Sequence, residues 1–367
     1  MVPGTTNVRF VERPEPKVGA PDEIKLQVLQ VGICGTDREE CAGGRADAPP
    51  GASDLVIGHE MLGRVVETGS AVAAVRPGDY AIFTVRRGCG HCLPCAQNRS
   101  DMCASGDYTE RGIRAADGYE TELVVDKEQY VVRVPPEMAG YAVLTEPMSV
   151  AEKAIAEAAQ IQAARLPGDA PSNESDAWLR GKRALVAGLG PIGLLAAFAL
   201  RLRGVEVVGL DVVDEADARP KLLERIGGRY VDGRQVKAES LDDQLGQVDL
   251  IFEATGVASL EFELIDALGI NGVYVVTGIP GGDRPINLDG AALIRQLVLD
   301  NQVMVGSVNA NRGHFELAVA DLAKAEATWG DAIRQVITNR VPADQFADVL
   351  THRVPDEIKS VITWANE

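Results

Sequence analysis

RALVAGLGPIGLLAAFALRLRGVEVVGLD, residues 183–211, decides the fold. RALVAG reads as a strand, PIGLLAAFALRLRG as a helix and VEVVGLD as a second strand, with Gly188-Leu189-Gly190-Pro191-Ile192-Gly193 at the first junction. Each glycine of this G-x-G-x-x-G spacing has a physical reason. The first permits a tight turn, the second lets backbone approach a pyrophosphate, and the third lets helix pack on strand, while the helix N-terminus attracts the anion. The second strand ends in Asp211, 18 residues past Gly193. An acid there can accept hydrogen bonds from ribose hydroxyls and repels a 2′-phosphate. The alternative reading of Asp211, a solvated strand-end acid, is the weaker one in this context. Val212-Val213-Asp214 add no Arg and the nearest in sequence is Arg219, so NAD is favoured, with NADP left open.

Working outward, ARPKLLERIGG, VDLIFEATG, SLEFELIDALGING and VYVVTGIPG continue an alternation of helix and strand. That succession makes a doubly wound parallel sheet with helices on both faces. From Ile24 to about Val134 the pattern differs: IKLQVLQVG, GRVVETG, DYAIFTV and ELVVD are short β-rich runs separated by turns such as Pro77-Gly78-Asp79. The expected fold class is α/β, a doubly wound sheet plus a mostly β, barrel-like domain. Residues 1–150 are expected to form the β domain and 151–309 the dinucleotide domain. A helical stretch covers Val150 to Ala164, a polar loop covers Leu166 to Asp176, and 310–367, with the helix HFELAVADLAKA, are expected to return to the first domain.

The chain has 367 residues, with 36 Lys and Arg against 54 Asp and Glu, a net charge of −18. This argues against a nucleic-acid face and against anionic membranes, since phosphate binding needs clustered cations. Only nine of the cations are Lys. Two readings stand: a salt-adapted surface, or an acidic mesophilic protein rich in Ala and Arg. The start lacks an apolar signal stretch, and the longest apolar run, Ala184 to Leu200, is broken by glycines and Pro191. A reducing cytoplasm is expected.

Four of six cysteines fall in one loop, Cys89, Cys92, Cys95 and Cys103. Four thiolates close a tetrahedral Zn²⁺ site without an open position, so this zinc is structural. His91 reads as a solvated loop residue and Cys41 as a packed thiol. A second constellation is dispersed: Cys34 in GICGTD and His59-Glu60 in GHEMLG. Cys, His and a carboxylate are the ligands of a catalytic zinc with one open position. Read alone, Cys34 and His59 are equally a buried thiol and a core imidazole. Beside the closed zinc loop and the dinucleotide fold, the metal reading gains.

At these residues the chain resembles the zinc-dependent medium-chain dehydrogenase/reductase superfamily, with its Rossmann and GroES-like domains. The resemblance covers nearly the whole chain: CGTD, the run from Gly58 to Val72, the four-Cys lobe and the GxGxxG domain in order. Within it the chain is similar to archaeal-type glucose dehydrogenases, through CGTDREECAGG, RRGCGHCLPC, YTERGI followed by DGY, TEPMSVAEKA and VGSVNANRGHF. The resemblance implies that Cys34, His59 and Glu60 ligate the catalytic zinc, with Glu146 binding it directly or through water. It implies sugar contacts at Thr36, Glu110, Glu146 and Asn309, catalytic roles for Cys34, Thr36, His59, Glu60 and Glu146, and coenzyme contacts at Gly188, Gly190, Pro191, Ile192, Gly193, Asp211, Thr255 and Thr277. The implied reaction oxidises C1 of an aldose, foremost D-glucose, to the lactone with hydride transfer to NAD(P). Homodimers or homotetramers are implied too. An alcohol or polyol dehydrogenase is the alternative within the superfamily, and a coenzyme-binding protein without catalysis the alternative outside it; the latter would be expected to lose Cys34, His59 and Glu60. One departure concerns the start: the family usually carries a short strand ahead of PGTTNVRFVERPEP, and here either the start is truncated or that strand is dispensed with. The other is Val212-Val213, where NADP-using members carry basic residues.

Overall fold

A computed structural model describes residues 1–166, 176–236, 240–282 and 285–365. Most of the loop expected at Leu166 to Asp176 lies outside the described residues. The chain divides into two compact units, one of Met1–Ser149 with Asn309–Ala323 and the stretch from Arg334 onward, the other of Val150–Val308 with Lys324–Ile333.

The first unit is built on β1 (Glu23–Ile33), β2 (Glu60–Thr68), β3 (Tyr80–Phe83), β4 (Arg86–Arg87), β5 (Thr109–Arg111), β6 (Ala115–Ala116), β7 (Leu123–Lys127) and β8 (Val131–Val134). β1 is the hub. Its register pairs Gly32 with Glu60, bringing the end of one strand beside the start of the next. It also pairs antiparallel with β7 and with a C-terminal strand, Lys359–Thr363. Ile24, Leu26, Val28, Leu29 and Val31 are all fully buried, the expected state of a strand covered on both faces. β4, β5 and β6 form a separate small sheet.

The second unit holds β9 (Arg183–Ala187), β10 (Glu206–Asp211), β11 (Arg229–Asp232), β12 (Val248–Glu253), β13 (Leu268–Val276) and β14 (Val303–Gly306). Every pairing is parallel and the order is β11-β10-β9-β12-β13-β14. The chain winds outward from β9, then returns to its other side, so the strand order reverses between β9 and β12. Such a reversal opens a crevice at the carboxyl ends of the strands, where dinucleotides bind. Leu185, Val208, Ile251 and Tyr274 belong to one buried cluster.

One boundary differs from the sequence expectation. SLEFELIDALGING reads as a helix throughout, whereas the α-helix covers Ala258–Glu263, a 3₁₀ turn Leu264–Ala267, and β13 begins at Leu268. Gly269, Asn271 and Gly272 explain the early stop, with Asn271 at a φ of 59° that helices do not use. The last two strands are β15 (Ile337–Pro342) and β16 (Lys359–Thr363), both paired into the sheet of the first unit. Among the described residues no helix is long and apolar enough to cross a membrane.

Candidate active site

In the first unit, β1 ends at Ile33 and the short helix Gly35–Cys41 starts at once, with Cys34 as its N-cap. The cap fixes the thiol. Thr36 N donates to Cys34 Sγ at 3.2 Å, and Asp37 Oδ2 accepts from Cys34 N at 2.8 Å, a reciprocal capping box. His59 is brought in just ahead of β2, and its Nε2 lies 3.2 Å from Cys34 Sγ. Ligands sharing one tetrahedral zinc stand about 3.6 Å apart for Zn–S near 2.3 Å and Zn–N near 2.05 Å. The convergence of these two donors therefore fits a metal. The other ring nitrogen, Nδ1, faces Asp37 Oδ1 at 3.4 Å. A carboxylate behind a ligating imidazole fixes its tautomer and orientation.

Burial and the Asp37 charge push the Cys34 thiol up, against the opposing pull of His59. Burial alone would lower His59, but Cys34 and Asp37 outweigh it and hold the imidazole well above its ordinary range. A half-buried thiol beside a buried imidazole in this electrostatic setting suits a divalent cation better than an apolar core.

The two carboxylates beside them are in different states. Glu60 and Lys359 are almost completely buried, at 2% and 1% exposure, and Lys359 Nζ donates to Glu60 Oε1 at 2.5 Å. Lys359 is held above the ordinary lysine range: burial lowers it, and the charge and hydrogen bond of Glu60 together with the charges of Cys34 and Asp37 more than compensate. Gly32 makes the room, since a Cβ there would collide with Glu60 and lie 2.9 Å from Lys359 Cε. Glu146, in the first turn of the helix Thr145–Arg165, is pushed up to about 7 by burial. Ligand atoms of His59, Glu60 and Glu146 lie within 4.8 Å of one another, as do those of Cys34, Asp37 and His59.

In the same unit, Glu110 and Asn309 are joined directly. Glu110 Oε1 accepts from Asn309 Nδ2 at 2.7 Å and from Arg86 Nε and Nη2 at 3.0 and 2.9 Å. Asn309 is buried and adopts the left-handed region at φ 62°, which Asn tolerates better than most residues. Arg86 Nη1 also donates to the Asp101 carbonyl at 2.8 Å. That carbonyl lies in the loop carrying Cys89, Cys92, Cys95 and Cys103, whose sulfurs all fall within 4.8 Å of one another. Cys89 and Cys95 are 3.9 Å apart, close to the ~3.8 Å of two thiolates on one zinc. A hydrogen bond from Ser105 brings Cys89 down to about 5, as suits a thiolate ligand.

In the second unit, Gly188 takes φ 87° and Gly190 is the N-cap of the helix Pro191–Leu202, with Pro191 at its first position and Ile192 at its second. A Cβ at Gly193 would strike the Gly188 carbonyl, whereas at Gly190 it would meet nothing within 4 Å. The open space over Gly190 leaves room for an anion at a helix N-terminus. Asp211 Oδ2 accepts from Leu189 N at 2.7 Å, so this acid also holds the glycine turn. Thr255 and Thr277 lie at strand ends, but their hydroxyls donate to Glu253, at 2.5 Å to the carboxylate and 2.6 Å to the carbonyl respectively.

Sequence reasoning passed over Asp37, Lys359, Arg86, Glu253 and Arg234. Asp37 carried a signal, as the third residue after Cys34 in a capping pattern. Arg234 donates to the Val213 carbonyl at 3.2 Å, so a guanidinium stands nearer Val212-Val213 than the sequence spacing suggested.

A parallel dinucleotide-type sheet in one unit, and in the other a Cys–His–carboxylate cluster with a four-thiol lobe, define a zinc-dependent medium-chain dehydrogenase. Residues 20–136 match the alcohol dehydrogenase GroES-like domain and 139–364 the glucose dehydrogenase C-terminus. The chain belongs to the glucose dehydrogenase family of that superfamily. It is 38% identical over 361 residues to a glucose 1-dehydrogenase of Thermoproteus tenax, covering 97% of this chain and 95% of the relative. It is 36% identical to that of Halobacterium salinarum, covering 93% and 92%. A Haloferax mediterranei glucose dehydrogenase, solved with NADP, Zn and gluconolactone, superposes with a TM-score of 0.85 at 32% identity, covering 97% of this chain and 96% of that one.

Proposed function

We propose that this chain is an NAD(P)-dependent, zinc-dependent glucose 1-dehydrogenase, oxidising the C1 hydroxyl of D-glucose to the lactone. The observation that carries the reading is the Cys34–His59 pair with Glu146 beside His59, in a unit that also holds a buried polar pair, Glu110 and Asn309. Cys34, His59 and Glu146 would hold the catalytic zinc. Glu60 is the weaker candidate, because Lys359 already neutralises it. When bound, zinc supplies a Lewis acid that eases loss of a hydroxyl proton, and the coenzyme supplies the hydride acceptor. Asp37 orients His59. The Thr36 hydroxyl, which makes no hydrogen bond to the described residues, is available to take up or pass on the substrate proton. Glu110 and Asn309 would receive sugar hydroxyls, and a site built to pair hydroxyls rejects apolar analogues by orders of magnitude. Arg86 holds Glu110 for this role.

Cys89, Cys92, Cys95 and Cys103 would hold a structural zinc. Gly188, Gly190, Pro191, Ile192 and Gly193 would seat the pyrophosphate and Asp211 the ribose, with Thr255 and Thr277 shaping the strand-end loops. NAD is the proposed preferred coenzyme; Asp211 and the two valines support it, and Arg234 leaves NADP accessible. A homodimer or homotetramer is proposed, supported by the exposed apolar Ile294, Val298 and Leu299 on the helix Gly290–Leu299 and Met304 on edge strand β14. The proposed compartment is the reducing cytoplasm, which six unpaired cysteines favour.

Steady-state rates with glucose, galactose, xylose, sorbitol and ethanol, each with NAD and NADP, test the reading, alongside zinc analysis. Glucose oxidation with about two zinc ions per chain is expected. Turnover of sorbitol or ethanol in preference to all aldoses would replace it with the polyol or alcohol reading.

A further inference from the structure

Glu253 ends β12 and is fully buried. Its Oε1 accepts from Thr255 N and Thr255 Oγ1, both at 2.5 Å, and from Gly256 N at 3.1 Å. Its Oε2 accepts from Gly278 N at 3.1 Å. One carboxylate thus ties together the loops leaving β12 and β13. The loop after β12 also presses on the glycine turn, where a Cβ at Gly188 would sit 2.9 Å from Thr255 Cγ2, and the two loops press on each other, where a Cβ at Gly278 would sit 2.7 Å from Gly256 Cα.

Every partner of this carboxyl group is a donor, and among the described residues no Lys, Arg or His pairs with it. Dipoles hold the charge in place without cancelling it. The strand order puts the crevice at the carboxyl ends of these strands, with β12 and β13 in the second mononucleotide-binding half. A nicotinamide ring is cationic when oxidised and neutral when reduced, so a fixed negative charge near it would distinguish the two.

We propose that Glu253 is a positioning residue with two separable effects: its reach fixes both loops, and its charge favours the oxidised coenzyme over the reduced one. The proposal rests on the coenzyme reading above. At an effective dielectric of about 20, a charge pair about 10 Å apart gives a discrimination of roughly tenfold.

The test uses the full-length zinc-loaded protein and measures Kd for NAD⁺ and NADH, and for NADP⁺ and NADPH, by fluorescence titration and calorimetry. Glu253→Gln keeps the shape and removes the charge. It should raise the ratio of oxidised to reduced Kd roughly tenfold, which makes the bound couple more oxidising by about 30 mV. Glu253→Asp keeps the charge and shortens the reach, so both forms should weaken together with the ratio unchanged within about twofold. Thr255→Val removes one donor from the same charge and should move the ratio the opposite way from Glu253→Gln. Equal weakening of both forms in Glu253→Gln, or no change in either, overturns the proposal. If Glu253→Gln does not fold, an unmoved ratio in Thr255→Val or a raised one in Glu253→Asp overturns it instead. A wild-type chain that binds no coenzyme removes the coenzyme reading itself, whereas normal binding with unmoved ratios removes only the role of Glu253.

Discussion

Glu40→Gln should stabilise the protein, by an amount that grows with pH. Glu40 lies on the helix Gly35–Cys41 with no exposed surface, and among the described residues neither carboxylate oxygen has a hydrogen-bond partner. Burial, reinforced by the charge of Asp37, pushes its carboxyl up to about 9 from an ordinary 4.5. Between these values the folded state keeps a proton that the unfolded state has released. Stability therefore falls as pH rises from 4.5 to 9, at about 1.4 kcal/mol per unit. At pH 7 the cost is about 3 kcal/mol, and at pH 5 less than about 1 kcal/mol. Gln removes the titration. It brings its own unpaired buried amide, but that is an offset without pH dependence, so the slope is the test. Urea melts of metal-stripped wild type and variant at pH 5, 6, 7 and 8 should show the gap widening in favour of the variant. The metal is removed because a nearby divalent cation would favour the ionised carboxylate and flatten the slope. A gap that stays constant across this range would refute the argument.

Lys359→Met strands the buried Glu60 charge and should cost about 3–5 kcal/mol, most of it recovered in Lys359→Met/Glu60→Gln; chemical denaturation reads both, and a double variant no more stable than the single one removes the pairing argument. Asp211→Ala with Val212→Arg should shift kcat/KM toward NADPH, aided by Arg234 nearby, and unchanged coenzyme selectivity would count against the ribose assignment. If the charge of −18 is a salt-adapted surface, the melting temperature should climb from low to multimolar KCl; a flat curve leaves the acidic mesophilic reading.

The fold was legible because its signals are local. The run 183–211 contains strand, glycine turn, helix and strand within one βαβ unit, and the glycines declare the backbone conformations needed. The four-Cys loop was legible for the same reason, its ligands lying within 15 residues. The catalytic cluster was only partly so. Cys34 and His59 stood out by residue type, but Lys359 lies 299 positions from Glu60 and is brought to it by the pairing of β16 with β1. Thr255 and Thr277 were legible as strand-end residues and not as partners of Glu253, because hydroxyl orientation depends on a neighbour two residues back in one case and across the sheet in the other. Arg234 was hidden because β11 returns beside β10 in parallel, bringing the residue after that strand back to Val213.

The acidic composition separates into populations that obey different physics. Most of the 54 acids shape solubility and salt response and can be exchanged at little cost to the site. Those at or near the candidate sites differ in what holds them. Glu60 and Glu110 are met by cations, Lys359 and Arg86. Asp211 and Glu253 are met by N–H and O–H dipoles, which fix a carboxylate yet leave its field uncancelled. Glu40 has no hydrogen-bond partner among the described residues and resolves its burial by holding a proton. The consequence of deletion follows from the partner: loss of a cation strands a charge, loss of a dipole-held carboxylate alters a field and two loops, and neutralising an unpartnered one relieves strain. Glu146, raised only to about 7 and lacking a cation of its own comparable to Lys359, is the carboxylate whose ionisation a metal at Cys34 and His59 would complete.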